Sequence, residues 1–141
     1  MTTPFDDPQA ELAWMFMQSL SADGDLDEGF ALLSEDFTYW NNATRRTWDK
    51  AGLRAFADRL STMIELDFDL ISCLNEGENV LIEAQPEGQT SAGVHYDTPI
   101  AFVFETRDGF IVSLREYGDT RLFDKAFGQV VQPEAVNPPQ W

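Results

Sequence analysis

The sequence predicts an α+β domain, with helices first and a hairpin-rich sheet after them. Two observations carry the prediction. Apolar residues in the N-terminal part recur at helical spacing, whereas those beyond about residue 66 alternate with polar neighbours. Helices and strands are also segregated along the chain rather than interleaved, which excludes a doubly wound parallel sheet.

Asp7-Pro8 supplies a cap and a first-turn proline for a first helix, which carries Leu12, Trp14, Met15, Phe16, Met17 and Leu20 and ends near Ala22. A short second helix follows, with Phe30, Leu32 and Leu33 as its apolar side. Residues 37–41 read as a strand, and Asp49 opens a third helix with the stripe Leu53, Phe56, Leu60, Met63 and Ile64. Strands are then expected at about 66–74, 80–87, 95–106 and 110–119. Turn pieces such as Asn75-Glu76-Gly77-Glu78-Asn79 and Arg107-Asp108-Gly109 separate them. Residues 1–127 are read as a single domain and 128–141, with Pro133, Pro138, Pro139 and Trp141, as an extended tail laid across its own or a neighbouring subunit.

Composition bounds the function. The chain has 141 residues and 16.0 kDa, enough for a substantial core without disulfide or metal staples. With 25 acidic and 9 basic residues its net charge of −16 repels a phosphate backbone and an anionic membrane surface, so neither nucleic acid nor membrane is an expected partner. Cys73 is the sole cysteine, which excludes an intrachain disulfide and a cysteine-based metal site. The first residues lack a basic region followed by an apolar one, and no apolar run approaches the roughly 18 residues of a membrane span. A cytoplasmic location is the expectation.

The stretch that carries most chemistry is 108–123. Alternation puts Val112, Leu114, Glu116 and Gly118 on one face and Ile111, Ser113, Arg115, Tyr117 and Asp119 on the other, so Glu116 shares a face with aliphatic side chains. A carboxylate so placed has its pKa raised, which suits proton transfer near neutrality. Tyr39 and Asn41 share a strand face and offer a hydroxyl and an amide that can orient a water or a substrate oxygen. On the strand at 80–87, Leu81, Glu83, Gln85 and Glu87 are expected to face the cavity, which leaves Val80, Ile82 and Ala84 for a dimer interface.

These residues resemble the SnoaL-like group of the NTF2-like superfamily, which includes ketosteroid isomerases, polyketide cyclases and limonene epoxide hydrolases. The resemblance rests on three helices before a long-hairpin sheet, on Ser34-Glu35-Asp36-Phe37-Thr38-Tyr39-Trp40-Asn41, and on Asp108-Gly109-Phe110-Ile111 leading into Arg115-Glu116-Tyr117-Gly118-Asp119-Thr120. It covers about residues 8–127 and implies a cone: a curved, mostly antiparallel sheet with three N-terminal helices over its concave face and an apolar cavity at the wide end. In limonene epoxide hydrolases a Tyr and an Asn two residues on, after a Glu-Asp pair, hold the attacking water, and these match Tyr39 and Asn41. Their activating Asp, in an Arg-Asp-Tyr-x-Asp run, matches Glu116. Their Arg-x-Asp pair falls on Gln85-Pro86-Glu87, where the arginine is missing, and the ketosteroid isomerase base falls on Asn41. Neither mechanism is carried over intact. The resemblance also extends to cofactorless lyases that deformylate lignin-derived diarylpropanes.

Other candidates are subordinate. Alternation sets His95 and Asp97 on the face opposite Tyr96, Thr98, Ile100 and Phe102, outside a cavity lined by the latter. Asp23-Gly24-Asp25-Leu26-Asp27 resembles the start of a calcium loop, but Glu28 stands where the turn glycine is required, so a solvated helix cap is expected. Arg45 and Arg46 are expected to pair with surface acids, and Asn42-Ala43-Thr44 is a glycosylation sequon without a secretory signal. An aromatic content of 13% suggests stacking walls, with Trp14, Trp40, Trp48, Tyr96 and Phe123 as first choices.

The expectation is therefore a cofactor-independent, metal-free acid/base enzyme of isomerase, cyclase or lyase type, acting on a hydrophobic, aromatic small molecule and assembling as a homodimer through its convex face. Glu116, Tyr39, Asn41 and Glu87 are the catalytic candidates, and Gln85, Glu83, Trp40, Trp48, Leu60, Ile64, Tyr96, Thr98, Ile100 and Phe123 the substrate-binding ones. Epoxide hydrolysis, diarylpropane deformylation and a non-catalytic ligand-binding or dimerisation module remain the alternatives.

Overall fold

A computed structural model describes residues 5–128. The expected C-terminal tail lies almost wholly outside them. The described elements run α1 (Pro8–Ser19), α2 (Leu26–Phe30), β1 (Leu33–Asn41), β2 (Arg46–Asp49), α3 (Lys50–Ser61), β3 (Asp67–Glu76), β4 (Asn79–Glu87), β5 (Ile100–Arg107), β6 (Phe110–Tyr117) and α4 (Thr120–Phe127). The strands form one curved, unclosed sheet in the order β2-β1-β6-β5-β4-β3, which confirms the α+β cone. All neighbouring pairs are antiparallel except β1 and β6, which run parallel in the middle of the sheet.

Local chemistry sets the element boundaries. Each helix starts on an aspartate whose side chain accepts backbone N–H groups: Asp7, Asp25, Asp49 and Asp119. The acidic loop before α2 thus works as the expected cap, and among the described residues no acidic or histidine cluster is arranged to hold a metal ion. The β5–β6 hairpin turns on Asp108 and Gly109, both at positive φ (53° and 81°), a pairing that an Asp-Gly dipeptide tolerates well. Among the described residues no helix is long and apolar enough to cross a membrane.

Four differences from the sequence-based expectation have physical causes. The helix α4 is additional to the three expected; it is two turns long, too short to show a period, and is held by Phe123, Ala126 and Phe127, which are buried. The four-residue strand β2 is likewise additional to the expected strands and too short to show a period. The strand expected from His95 begins only at Ile100, because Pro99 has no N–H for a ladder; 95–99 keep a single bridge, Gln89 to His95. A bulge between Glu105 and Thr106 on β5 and their partners on β6 inserts Val112 and turns Ile111 inward, where it is fully buried rather than outward-facing.

The core lies between the concave sheet face and the helices. On β4 it is Val80, Ile82 and Ala84 that point into it, each at most 1% exposed. Leu81, Glu83, Gln85 and Glu87 therefore face outward, the reverse of the expected orientation, since burying three carboxylate or amide side chains would cost more than burying the aliphatic set.

Candidate active site

Two helices cover a six-stranded sheet from its two sides: α1 packs on β3 and β4, and α3 on β1 and β2. Between the two helices a cavity of about 290 Å³ opens over Ile100 and Phe102 of β5 and Leu114 and Glu116 of β6. Its floor is formed by Tyr39, Ile100, Phe102, Leu114 and Glu116, its sides by Leu53, Phe56 and Leu60 of α3 with Ile64 just after it, and by Phe16 of α1 with its C-cap Leu20. Phe123 and Phe127 of α4 close one end, which gives the unexpected helix a place in the site. Ser21, Gly24, Ser61 and Glu65 contribute more polar lining from the α1–α2 loop and the C-terminal end of α3.

Glu116 is the polar group on that floor, joined by Tyr39 and Asn41. The parallel register sets Asn41 directly beside Glu116 and Tyr39 beside Leu114. Tyr39 donates its hydroxyl proton to Glu116 Oε1 at 2.9 Å. The Asn41 amide donates to Glu116 Oε2 at 3.2 Å and to the Tyr39 oxygen at 2.8 Å. The orientation of that amide is fixed locally, because Asn41 Oδ1 accepts the Ala43 N–H at 2.7 Å as the chain leaves β1.

A second clamp holds the register. The Asn42 side chain donates to the Gly118 carbonyl and accepts the Gly118 N–H, both at 3.1 Å, while the Asn42 N–H donates to the Glu116 carbonyl at 3.1 Å. The asparagine side chain thereby extends the parallel ladder past the end of both strands. Nothing in the sequence apart from its place after Asn41 marks Asn42 for this role.

Burial pushes the Glu116 carboxyl up from an ordinary 4.5 to about 7, against the two donors that favour its charged form. Its remaining accessible surface borders the cavity. Burial foremost, and then the nearby Glu116 charge, holds the Tyr39 hydroxyl well above the ordinary tyrosine range, so Tyr39 stays a neutral donor. A carboxyl that titrates near neutrality, aimed into an apolar cavity, can take up a proton and return it without a cofactor.

The sequence-predicted residues divide into those brought together here and those left apart. Glu116, Tyr39, Leu60, Ile64, Tyr96, Ile100 and Phe123 line the cavity, and Asn41 is buried behind Glu116. Glu83, Gln85 and Glu87 lie on the outer face: Glu83 accepts from Ser72, and Gln85 donates to the Asp97 carbonyl at 2.7 Å. Trp40 also sits outside, tilted against Tyr117 at 5.4 Å. Trp48 is buried behind the wall, edge-on to Phe56 at 4.9 Å, and Trp14 packs against Phe5; neither reaches the cavity. Thr98 is half-buried and is not among the lining residues. His95 is exposed and outside, as expected. Phe16, Phe56 and Phe127, with the expected Phe123 and Tyr96, supply the aromatic walls in place of the tryptophans.

Comparison with known proteins agrees with this geometry. A SnoaL-like domain matches residues 15–114. Among curated proteins none matches the chain. Solved structures that resemble it include a protein assigned as a SnoaL-like polyketide cyclase from Jannaschia sp. CCS1, 17% identical, with a TM-score of 0.74 over 89% of this chain and 95% of that one. An LEH-like epoxide hydrolase from M. tuberculosis is 20% identical with a TM-score of 0.71, covering 86% of this chain and 90% of that one. A protein of ketosteroid isomerase-like fold from Catenulispora acidiphila is 21% identical with a TM-score of 0.71, covering 97% of this chain and all of that one. The match over residues 15–114 makes this chain a member of the SnoaL-like family, and its cone has the NTF2-like fold.

Proposed function

We propose that the protein is a cofactor-independent acid/base enzyme that converts a hydrophobic, aromatic small molecule inside the cone, with Glu116 as the proton carrier. The observation that carries this reading is the Glu116 carboxyl hydrogen-bonded to Tyr39 and Asn41 on the floor of a mainly apolar cavity. The ionised carboxylate would take a proton from a C–H or O–H bond of the substrate, and the acid so formed would return it to a different atom. Isomerisation, cyclisation and lyase chemistry all use this exchange. The deformylation of diarylpropanes fits the aromatic walls, while epoxide hydrolysis fits less well: Glu87, the expected second acid, lies outside the cavity, and Glu65 is an exposed carboxylate near the polar lining.

The experiment is a screen of aromatic alcohols, diarylpropanes, epoxides and enolisable ketones without added cofactor, each hit being repeated with Glu116→Gln. Turnover should fall by roughly two orders of magnitude or more, the usual range for loss of a general acid or base. A variant with wild-type turnover would end the assignment of Glu116.

A homodimer through the outer sheet face belongs to the same proposal. Trp40, Arg115, Val103, Leu81 and Leu74 pair in succession across five strands, a mainly apolar row, and Leu74 is 68% exposed. Light scattering at micromolar concentration should give twice the chain mass; the mass of one chain would remove the dimer.

A further inference from the structure

One polar group on the cavity wall is not used by the Glu116 network. Tyr96 is 4% exposed, with its ring edge against Phe127 at 4.7 Å and its N–H donated to the Gly88 carbonyl at 2.8 Å, so the ring is fixed in place. It lines the cavity, yet no hydrogen bond joins its hydroxyl to a described residue. The neighbouring buried polar groups differ: the Tyr39 hydroxyl, the Asn41 amide and the Ser19 hydroxyl are each paired within the protein. A hydroxyl that has no partner in the protein and borders the cavity is free to donate to a ligand oxygen there.

The cavity also selects by charge. No Lys, Arg or His is among its lining residues, and the ionisable carboxyls there are Glu116 and Glu65. An anionic ligand would meet these acids with no cation to offset them. A neutral oxygen meets both kinds of partner it can use, an acceptor in the Glu116 carboxylate and a donor in the Tyr96 hydroxyl.

We infer that Tyr96 is a substrate-binding residue of the Glu116 site, donating its hydroxyl hydrogen to an oxygen of an uncharged aromatic hydroxy compound or ketone, and that the site rejects aromatic carboxylates. The inference rests on the acid/base reading above and adds to it the charge class of the substrate and the atom that holds it. Burial, together with the charges of Glu116 and Asp119, keeps the Tyr96 phenol far above its ordinary range, so it remains a donor at every working pH. It gives a hydrogen bond and no proton, so the proton exchange itself stays with Glu116.

The test uses 2-naphthol, naphthalene and 2-naphthoate as fluorescent probes, titrated at pH 7 with the full wild-type chain and with Tyr96→Phe. The expected result is that Tyr96→Phe weakens 2-naphthol about five- to tenfold, leaves naphthalene unchanged and melts at the wild-type temperature, since it removes an unpaired group. For the wild type, 2-naphthoate should bind at least about tenfold more weakly than 2-naphthol. Equal losses for both neutral probes, no loss for 2-naphthol, or a lowered melting temperature would overturn the assignment of Tyr96 while leaving the aromatic cavity in place. Binding of 2-naphthoate as tight as that of 2-naphthol would overturn the charge selection. If neither neutral probe binds the wild type, the aromatic-substrate reading of the cavity falls, and the role of Tyr96 with it.

Discussion

Replacing Glu116 with glutamine should make the protein more stable at alkaline pH than at acid pH, relative to the wild type. The native fold holds the carboxyl at about 7 instead of its ordinary 4.5. At about 1.36 kcal/mol per pH unit, that interval represents roughly 3 kcal/mol of ionisation free energy. Because the folded-state pKa is raised, the native state keeps a proton that the unfolded chain has already released. The corresponding stability is present in full below the unfolded value and is lost as pH rises towards 7 and through it. Glutamine cannot ionise, so the variant escapes the loss. It does carry a fixed cost, because its single amide oxygen can accept from only one of the two donors Tyr39 and Asn41 that the carboxylate serves, for about 1–3 kcal/mol at any pH. Urea unfolding of both chains at pH 4, 5.5, 7 and 8 separates the two effects. The offset between the chains reports the lost acceptor, and its change with pH reports the burial of charge. The many other acids contribute equally to both chains and cancel. A stability difference that stays constant from pH 4 to pH 8 would refute the claim that Glu116 is held neutral by its surroundings.

Tyr39→Phe and Asn41→Ala each remove a donor to the ionised carboxylate, so each should move the Glu116 titration further upward, measurable by NMR of its labelled carboxyl carbon; a downward move contradicts the network. Asn42→Ala deletes the paired bonds to Gly118 and should cost about 1–3 kcal/mol in denaturant unfolding, whereas a neutral result would show that the clamp contributes nothing. Gly29→Ala sets a methyl group into the Ser19 side chain, where α2 crosses α1, and should lower stability by about 1–3 kcal/mol or more; unchanged stability would mean that the two helices are not this close in solution. Val103→Glu places a charge in the middle of the outer apolar row and should convert the proposed dimer to single chains in light scattering.

The side chains of the candidate site that share a strand were legible in the sequence because period-two alternation is a local property: it put Glu116 with Leu114, and Tyr39 with Asn41, before any packing was known. Caps were equally local, and Asp7, Asp25 and Asp49 mark helix starts by the hydrogen bonds that their own side chains can accept. What alternation leaves open is which face of a strand points inward. On β4 that choice put Glu83, Gln85 and Glu87 outside and Val80, Ile82 and Ala84 inside, and it depends on where α1 lies. Short elements were also beyond local reading: β2 is a four-residue partner of β1, too short to show a period, and α4 is held by contacts with distant residues such as Phe56 and Tyr96, so Phe127 had no signature of its own beside Phe123. The sequence by itself determined the α+β class, the acidic exterior and the pairing of a carboxylate with apolar neighbours, because these follow from side-chain spacing and charge. Spacing and charge could not bring Glu116 to Tyr39 and Asn41, which the family resemblance alone implied; their contact follows from the tertiary structure, since β1 and β6 are about 75 residues apart in the chain and meet through their parallel pairing inside the sheet.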